Sequence, residues 1–154
     1  MSSARIPTLP DPTTAEAIRY RKSQYCRFTD TADWAALEQL ILPTATFEFY
    51  DATGSVIQTA DGGAWSFSSR QEFMDFNIQR WEGNQTVHVV GPGELEQVAP
   101  DEVAATWAAV THMGPTEGVE GHMVGGTYYR ETWKSVKGVW LLGRMTARLV
   151  YRRG

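Results

Sequence analysis

The second half of the chain is a nearly continuous run of strand-like segments, and this run limits the fold more than any other feature. Five segments follow one another between residues 86 and 152: TVHVVG, GELEQVA, EVAATWAAVTHM, GGTYYRETWKSV and VWLLGRMTARLVYR. The turn sequences APDE and VKG separate two of the neighbouring pairs, which are therefore expected to form antiparallel hairpins. Long strands joined by short turns predict one large sheet.

The first half of the chain carries three helical patterns. TTAEAIRYRKSQYCRFTD has an apolar stripe at helical spacing, and Asp33 is a natural N-cap for a second, shorter helix that Pro43 should end. A third pattern, SRQEFMDFNIQRW, begins at Ser68 or Ser69, and its apolar residues include Ile78. Between the second and third helices, ATFEFYD alternates like a strand, and GSVIQTADGGAWSFSS predicts a turn and two further strands.

Helices come first and long strands last, an order typical of α+β domains in which helices pack on one face of a sheet. We expect a cone-shaped barrel: a strongly curved, mixed or antiparallel sheet that encloses a pocket, closed by about three helices from the N-terminal half. Residues 1–12 contain three prolines and are expected to form an extended arm. Residues 13–154 should form a single domain, whose first helix Thr13 or Thr14 can cap.

Charge and hydropathy narrow the choice of partners and compartment. The net charge is −4, and the basic clusters RYRK and RR are too short to predict a nucleic-acid surface. No run of 18 apolar residues predicts a membrane span, and the N-terminal segment lacks the apolar core of a secretory signal. We therefore expect a cytoplasmic protein that binds neither nucleic acid nor membrane. The single cysteine, Cys26, is expected to be a small core residue rather than a nucleophile.

Two residues stand out as candidates for acid–base chemistry. His88 lies in the middle of TVHVVG, on the same face of the predicted strand as Thr86 and Val90. Asp30 lies at the end of the first helix, and because Asp33 already accounts for the N-cap of the second, Asp30 is left without a structural role. A histidine base needs a group that orients it, and a carboxylate can do this. The patterns alone leave open that His88 is a core histidine and Asp30 a solvated acid.

Other kinds of catalytic site find little support in the sequence. His112 and His122 are the remaining histidines, and no HxH or HExxH spacing predicts a metal site. GPGELE precedes a strand rather than a helix, so a phosphate-binding loop is not expected, and no G-x-S-x-G motif is present. We therefore predict no metal and no cofactor. Aromatic residues make up 12% of the chain and indicate a pocket for a flat aromatic or polycyclic ligand.

Three stretches of the sequence together resemble a known superfamily. They are RKSQYCRFTDTADWAALEQLILPTATFEFYD, QTVHVVGPGELEQVAPDEVAATW and GHMVGGTYYRETWKSVKGVWLLG, in which the order D-x-x-D-W, Q-x-x-H, D-E-V, G-V-W is distinctive. Residues 14–150 resemble the SnoaL-like superfamily of cone-shaped barrels, with the nuclear-transport-factor-2-like fold, and within it the scytalone dehydratase-like branch. The resemblance implies that Asp30 and His88 form the hydrogen-bonded pair that works as acid and base in that branch.

The resemblance also shows where this chain departs from the dehydratase. Met113 takes the place of a second pocket histidine, and a bulge would be needed to bring His112 there. Thr29 and Phe49 stand where that dehydratase has two water-holding tyrosines, and Thr127 and Tyr129 fall near its polar serine and asparagine. These departures imply a related reaction on another substrate. Further candidates for the pocket and its acid–base groups are Tyr50, Tyr129, His122, Trp81, Trp107 and Met145.

The hypothesis from the sequence is a cofactor-independent enzyme of dehydratase, isomerase or cyclase type. His88, oriented by Asp30, would remove a proton alpha to a carbonyl of a polyketide- or terpenoid-like aromatic or enone intermediate of secondary metabolism. The alternative is a non-catalytic module of the same fold that binds a hydrophobic small molecule or only dimerises. The last strand carries apolar residues on both faces, so a homo-oligomer, most simply a dimer through the sheet, is expected.

Overall fold

The computed structural model describes residues 5–118 and 120–154. Within them the chain forms three helices and seven strands. Their order and bounds are α1 (Pro12–Asp30), α2 (Trp34–Glu38), β1 (Ile41–Tyr50), β2 (Ser66–Phe67), α3 (Arg70–Trp81), β3 (Asn84–Val90), β4 (Glu94–Ala99), β5 (Glu102–Pro115), β6 (Met123–Val136) and β7 (Val139–Arg153).

All seven strands join one mixed sheet. The order is β2-β1-β7-β6-β5-β3, and β4 pairs with the first half of β5 while β3 pairs with its second half. The β1 and β7 strands are parallel, and all other pairs are antiparallel. The sheet is open, and β-bulges in the β6–β7 ladder bend it. The predicted α+β fold, with a mixed, curved sheet and three helices, is confirmed.

The helices cover one face of the sheet and bury an aromatic core against it. Phe73 of α3 stacks on Phe47 of β1, with ring centroids 3.8 Å apart and nearly parallel planes. Ile18 of α1 and Leu37 of α2 are fully buried beside them. Burying an aliphatic or aromatic side chain of this size contributes about 1.5–3 kcal/mol each, so these contacts hold the helices over the sheet.

The helix boundaries differ from the sequence prediction in two places. Asp11, and not Thr13 or Thr14, caps α1, because its carboxylate accepts hydrogen bonds from both of those backbone N–H groups. The strand β1 begins at Ile41, so α2 ends before Pro43 can end it. The cause is pairing with β7, since the N–H of Leu142 donates to the carbonyl of Leu40.

Three further details depart from simple periodicity. Ile78 is 47% exposed, and α3 buries Met74 and Asn77 instead.

In β7, Leu142 is buried together with Met145, although strict alternation places them on opposite faces. The bulge near the Thr132–Trp133 segment of β6 shifts the register and explains this. GSVIQTADGGAWSFSS forms isolated bridges and the two-residue β2 rather than two strands.

The segment before α1 lies along the sheet edge as an irregular strand-like arm. The carbonyl of Thr8 accepts from the N–H of Gln97, and Arg5 pairs with Glu96 on β4. Residues 1–4 of the predicted arm lie outside the described residues. No helix in the described part of the chain has the length and apolar character to cross a membrane.

Candidate active site

A cavity of about 320 Å³ lies between α3 and the covered face of the sheet. Strands β1, β3, β5, β6 and β7 and the end of α3 all contribute to it. The aromatic and polar residues of its wall are Phe49, Tyr50, Gln58, Trp65, Arg80, Trp81, His88, Thr111, Thr127, Tyr129 and Arg152. The mixture of apolar rings and a few polar groups is typical of small-molecule sites.

Asp30 reaches this region from the last residue of α1. A Schellman turn ends the helix, in which Asp33 N–H donates to the Phe28 carbonyl and Ala32 N–H donates to the Thr29 carbonyl. Ala32 has φ 54°, a left-handed conformation that glycine usually occupies at this position. A carboxylate at a helix C-terminus faces the negative end of the helix dipole, so this position is unfavourable for Asp30 unless another group compensates.

His88 supplies that compensation from the adjacent strand β3. Oδ1 of Asp30 lies 2.6 Å from Nδ1 of His88, and Oδ2 accepts a hydrogen bond from the backbone N–H of His88 at 2.9 Å. Both side chains are largely buried, with 10% of His88 and 15% of Asp30 exposed. Two contacts from one carboxylate fix both the strand and the imidazole ring relative to α1.

This contact determines which nitrogen of His88 is available for chemistry. An ionised carboxylate only accepts hydrogen bonds, so Nδ1 of His88 carries the proton that Asp30 accepts. The imidazole ring lines the cavity, whereas Asp30 does not. Nε2 is therefore the nitrogen that a ligand can meet, and in this tautomer it is a proton acceptor. The arrangement has the geometry of a histidine base oriented by a buried carboxylate.

Most of the chain, including Asp30 and His88, matches a protein-family model. The description of that model is SnoaL-like domain, and it matches residues 13–146. The chain belongs to this family. A relative from Gibberella zeae, named "Probable cyclase FGR4", is 39% identical over 141 residues, which are 91% of this chain and 93% of that protein.

Solved structures of low sequence identity show the same fold. "Putative Scytalone Dehydratase" from Novosphingobium aromaticivorans superposes with a TM-score of 0.77 at 13% identity, over 92% of this chain and 87% of the other. A hexachlorocyclohexane dehydrochlorinase, LinA type 2, superposes with a TM-score of 0.74 at 16% identity, over 92% and 88% of the two chains. At these identities the likeness concerns the architecture alone.

In this SnoaL-like protein, His112 and His122 do not line the cavity that holds His88. The strand β5 runs without a bulge opposite β3, so Thr111 and Met113 line the cavity and His112 lies on the opposite face. Nδ1 of His112 lies 3.3 Å from Nε2 of His122, in a separate cleft. Neither candidate histidine therefore lines this cavity, and strand alternation places His112 on the other face of the sheet.

Three other candidate pocket residues belong to the core behind the cavity. Trp107 donates from Nε1 to the Glu131 carboxylate at 2.7 Å, and Met145 is fully buried and contacts the Tyr25 hydroxyl. Thr29 donates from its hydroxyl to the Tyr25 carbonyl within α1, so it holds no water in the cavity. All three side chains make contacts inside the protein rather than with the cavity. Residue spacing alone could not predict these contacts.

The aromatic candidates Phe49, Tyr50, Trp81 and Tyr129 all line the cavity as expected. Burial raises the pKa of Tyr129 above its usual value, so its hydroxyl stays protonated and remains a hydrogen-bond donor. Burial, followed by the nearby Glu48 carboxylate, also raises the pKa of Tyr50. The Tyr129 hydroxyl is therefore suited to donating a hydrogen bond to a bound oxygen, whereas the Tyr50 hydroxyl lies beside the Glu48 carboxylate.

The core thiol behaves as the sequence predicts. Cys26 is buried in α1, and its burial raises the pKa of the thiol to about 11. The reactive form of cysteine is the thiolate, which is scarce at neutral pH with such a pKa. Cys26 is therefore a packing residue.

Sequence reasoning missed two arginines of the cavity wall, Arg80 and Arg152. Arg80 is the penultimate residue of α3, and it was missed because the residues around it follow an apolar pattern. Arg152 lies beyond a β6–β7 bulge, where Thr127 pairs with Leu149 and Gly126 pairs with Tyr151. The bulge reverses the alternation, so the cavity side passes from Leu149 to Arg152. A Cβ on Gly126 would lie 2.2 Å from the Tyr151 ring, so any larger residue here would have to displace that ring.

Proposed function

We propose that the protein is a cofactor-independent acid–base enzyme of lyase or isomerase type. His88 removes a proton alpha to a carbonyl of the bound substrate through Nε2, while Asp30 holds the Nδ1–H tautomer and stabilises the imidazolium that forms. The observation that carries the proposal is the 2.6 Å contact between Nδ1 of His88 and Oδ1 of Asp30, beside a ligand-sized cavity.

Removal of that proton gives an enolate, from which three reactions can follow. The imidazolium returns the proton to another carbon in an isomerisation, or assists the loss of a hydroxyl as water in a dehydration. In a cyclisation, the enolate carbon attacks an electrophilic carbon of the same molecule. Tyr129 lines the cavity, and its hydroxyl is suited to donate to the enolate oxygen.

Similarity to named relatives supports this class of reaction. The relative from Gibberella zeae is named as a cyclase, and a structural neighbour is named as a scytalone dehydratase. The aromatic wall formed by Phe49, Trp65 and Trp81 suits a flat polyketide- or terpenoid-like aromatic or enone intermediate of secondary metabolism. Exchange of the dehydratase tyrosines for Thr29 and Phe49 argues for a substrate other than scytalone.

The proposal predicts enzyme-accelerated exchange of alpha protons. In deuterium oxide, bicyclic ketones such as 2-tetralone and 1-indanone should exchange alpha hydrogen for deuterium faster with the protein than in buffer, because an oriented imidazole lies beside the binding cavity. Proton NMR measures the rate. The His112→Gln variant is the matched control, because this histidine lies outside the cavity, and it should exchange as fast as the wild type.

The outcome of this experiment separates enzyme from binding module. Ketones that bind, as measured by quenching of tryptophan fluorescence, but exchange no faster than in buffer would contradict the proposed base. That result would favour the alternative in which the cavity only holds a hydrophobic ligand.

We also propose that the uncovered face of the sheet forms a homodimer. Val87 and Val89 on β3, Tyr128 on β6 and Val150 on β7 are each at least half exposed, and pairing through β5 places them on one continuous face. Several exposed apolar side chains on one sheet face are typical of an association surface. A second copy of the chain presents the same apolar patch, as a two-fold interface requires.

Light scattering at micromolar concentration should give about twice the chain mass of 17.2 kDa. The Tyr128→Arg variant places a charge at the centre of the proposed interface and should give the monomer mass. Lys137→Gln, in the β6–β7 turn, is the control and should leave the dimer intact. A wild-type mass of one chain would overturn the dimer proposal without affecting the proposed chemistry.

A further inference from the structure

Two arginine side chains of the cavity have no carboxylate partner among the described residues. Arg80 from α3 and Arg152 from β7 both line it. Three arginines elsewhere in the chain are paired with carboxylates: Arg5 with Glu96, Arg70 with Glu38 and Arg144 with Glu48. Across residues 5–118 and 120–154, neither Arg80 nor Arg152 has a carboxylate oxygen within 4.0 Å.

Arg80 is the more constrained of the two. Its guanidinium lies 4.3 Å from the ring centroid of Trp65 and 5.5 Å from that of Trp81. Its side-chain hydrogen bond goes to the sulfur of Met113 at 3.6 Å, a weak acceptor. Burial, together with the positive charge of Arg152, lowers the pKa of Arg80. A partly buried cation that repels its neighbour is unfavourable without a compensating negative charge.

The neutral groups of the wall show the same need for an acceptor. Nε1 of Trp65 and Nε1 of Trp81 are buried, and neither has a hydrogen-bond partner among the described residues. Both residues line the same cavity as the arginines. An indole N–H only donates, and leaving a buried donor unsatisfied costs about 1–3 kcal/mol. A ligand rich in oxygen acceptors would satisfy these donors.

We propose that the substrate of this cavity carries a carboxylate, which Arg80 and Arg152 bind at the end of the pocket away from the reacting carbon. The carboxylate neutralises two cations that repel each other, and further ligand oxygens accept from Trp65 and Trp81. The guanidinium fork matches a planar carboxylate better than a single ammonium would. This inference rests on the proposed function only in taking the cavity as the substrate site.

The proposal also assigns a role to the cavity's aromatic rings. The Arg80 guanidinium packs against the ring of Trp65, so its position is set before a ligand arrives and less side-chain freedom is lost on binding. His88 approaches from β3, whereas Arg80 comes from the end of α3 and Arg152 from the end of β7. The base and the anchor thus come from different elements, which lets one end of a substrate be fixed while the other reacts.

Binding of a matched pair of probes tests the proposal. We expect 2-naphthoate to bind at least about 10-fold more tightly than methyl 2-naphthoate, as measured by titration calorimetry, and this preference should weaken as salt is raised. Arg80→Gln and Arg152→Gln should each reduce the preference, and the double variant should abolish it. Arg153→Gln is the control, because this exposed neighbour does not line the cavity, and it should keep the full preference.

Substitution of Arg80 also removes its packing against Trp65 and can therefore destabilise the fold. Arg152 is exposed, so its substitution is the milder variant. Thermal unfolding is measured for both variants. Equal affinities for acid and ester in the wild type would overturn the proposal, and so would a preference that survives in the double variant. The His88→Gln variant should retain the preference for the acid. Failure of the anionic anchor is therefore distinguishable from failure of the proposed base.

Discussion

Substitution of His88 by glutamine is expected to lower turnover about 10²- to 10⁴-fold while leaving the fold intact. Glutamine can keep a hydrogen bond to Asp30 and similar bulk, but its amide cannot accept the substrate proton at neutral pH. The measurement is the rate on the native substrate, or the rate of alpha-proton exchange on the bicyclic ketones, together with the temperature of unfolding.

Asp30→Asn tests the other half of the pair. The amide can donate to Nδ1 of His88, which would favour the tautomer that carries its proton on Nε2 and remove the base from the cavity side. We expect turnover to fall at least about 10²-fold with little change in substrate affinity. Asp33→Asn is the matched control three residues away, because asparagine also serves as an N-cap, and its rate should stay near that of the wild type.

Retention of the wild-type rate by both His88→Gln and Asp30→Asn would contradict the acid–base mechanism. A fall in rate for only one of them would show that the two side chains do not act as a unit. Because Oδ2 of Asp30 also accepts from the backbone of His88, the unfolding measurement is needed to separate a catalytic from a structural loss.

The largest loss of stability is expected from the buried ion pair of Lys22 and Glu131. Only 2% of Lys22 and 3% of Glu131 is exposed. Glu131 accepts from the ammonium of Lys22, from Nε1 of Trp107 at 2.7 Å and from Nε1 of Trp133 at 2.9 Å. The carboxylate thus joins α1 to β5 and β6. Lys22 also lies 4.2 Å from the centroid of the Tyr129 ring, which lines the cavity.

Glu131→Leu should lower the free energy of unfolding by about 3–5 kcal/mol, since it leaves a buried ammonium and two indole donors without their acceptor. For a chain of this length that corresponds to a fall of roughly 10 °C in the unfolding temperature. Urea and thermal unfolding measure both quantities. Glu102→Gln is the control: its contact with Lys134 is 3.5 Å long and half exposed, so its loss should cost less than about 1 kcal/mol.

A double variant sharpens this prediction. Lys22→Met with Glu131→Leu removes both charges, so it should be less destabilised than the sum of the two single variants, by more than about 1 kcal/mol. Additive losses would show that the two residues are not energetically coupled. A Glu131→Leu protein as stable as the wild type would contradict the assigned role of the network.

The dyad shows how far reasoning from the sequence can reach. Asp33 explained the start of α2, so Asp30 was left without a role, and the resemblance supplied His88 as its partner. The structure brings these two residues into contact, although they are 58 positions apart. Their catalytic role stays a prediction. In the resemblance, His112 lies one residue before the position of the family's second pocket histidine. The β3–β5 ladder has no bulge, so Met113 lines the cavity at that position.

The sequence by itself determined the α+β class, the three helices, the long strands and the inward face of β3. These follow from local periodicity and capping, in which a residue interacts with neighbours a few positions away. Only the tertiary structure decided the early start of β1, the burial of Lys22 with Glu131 and the entry of Arg152 into the cavity. Each depends on pairing or bulges between strands distant in the chain, where a shift of one residue moves a side chain to the other face of the sheet.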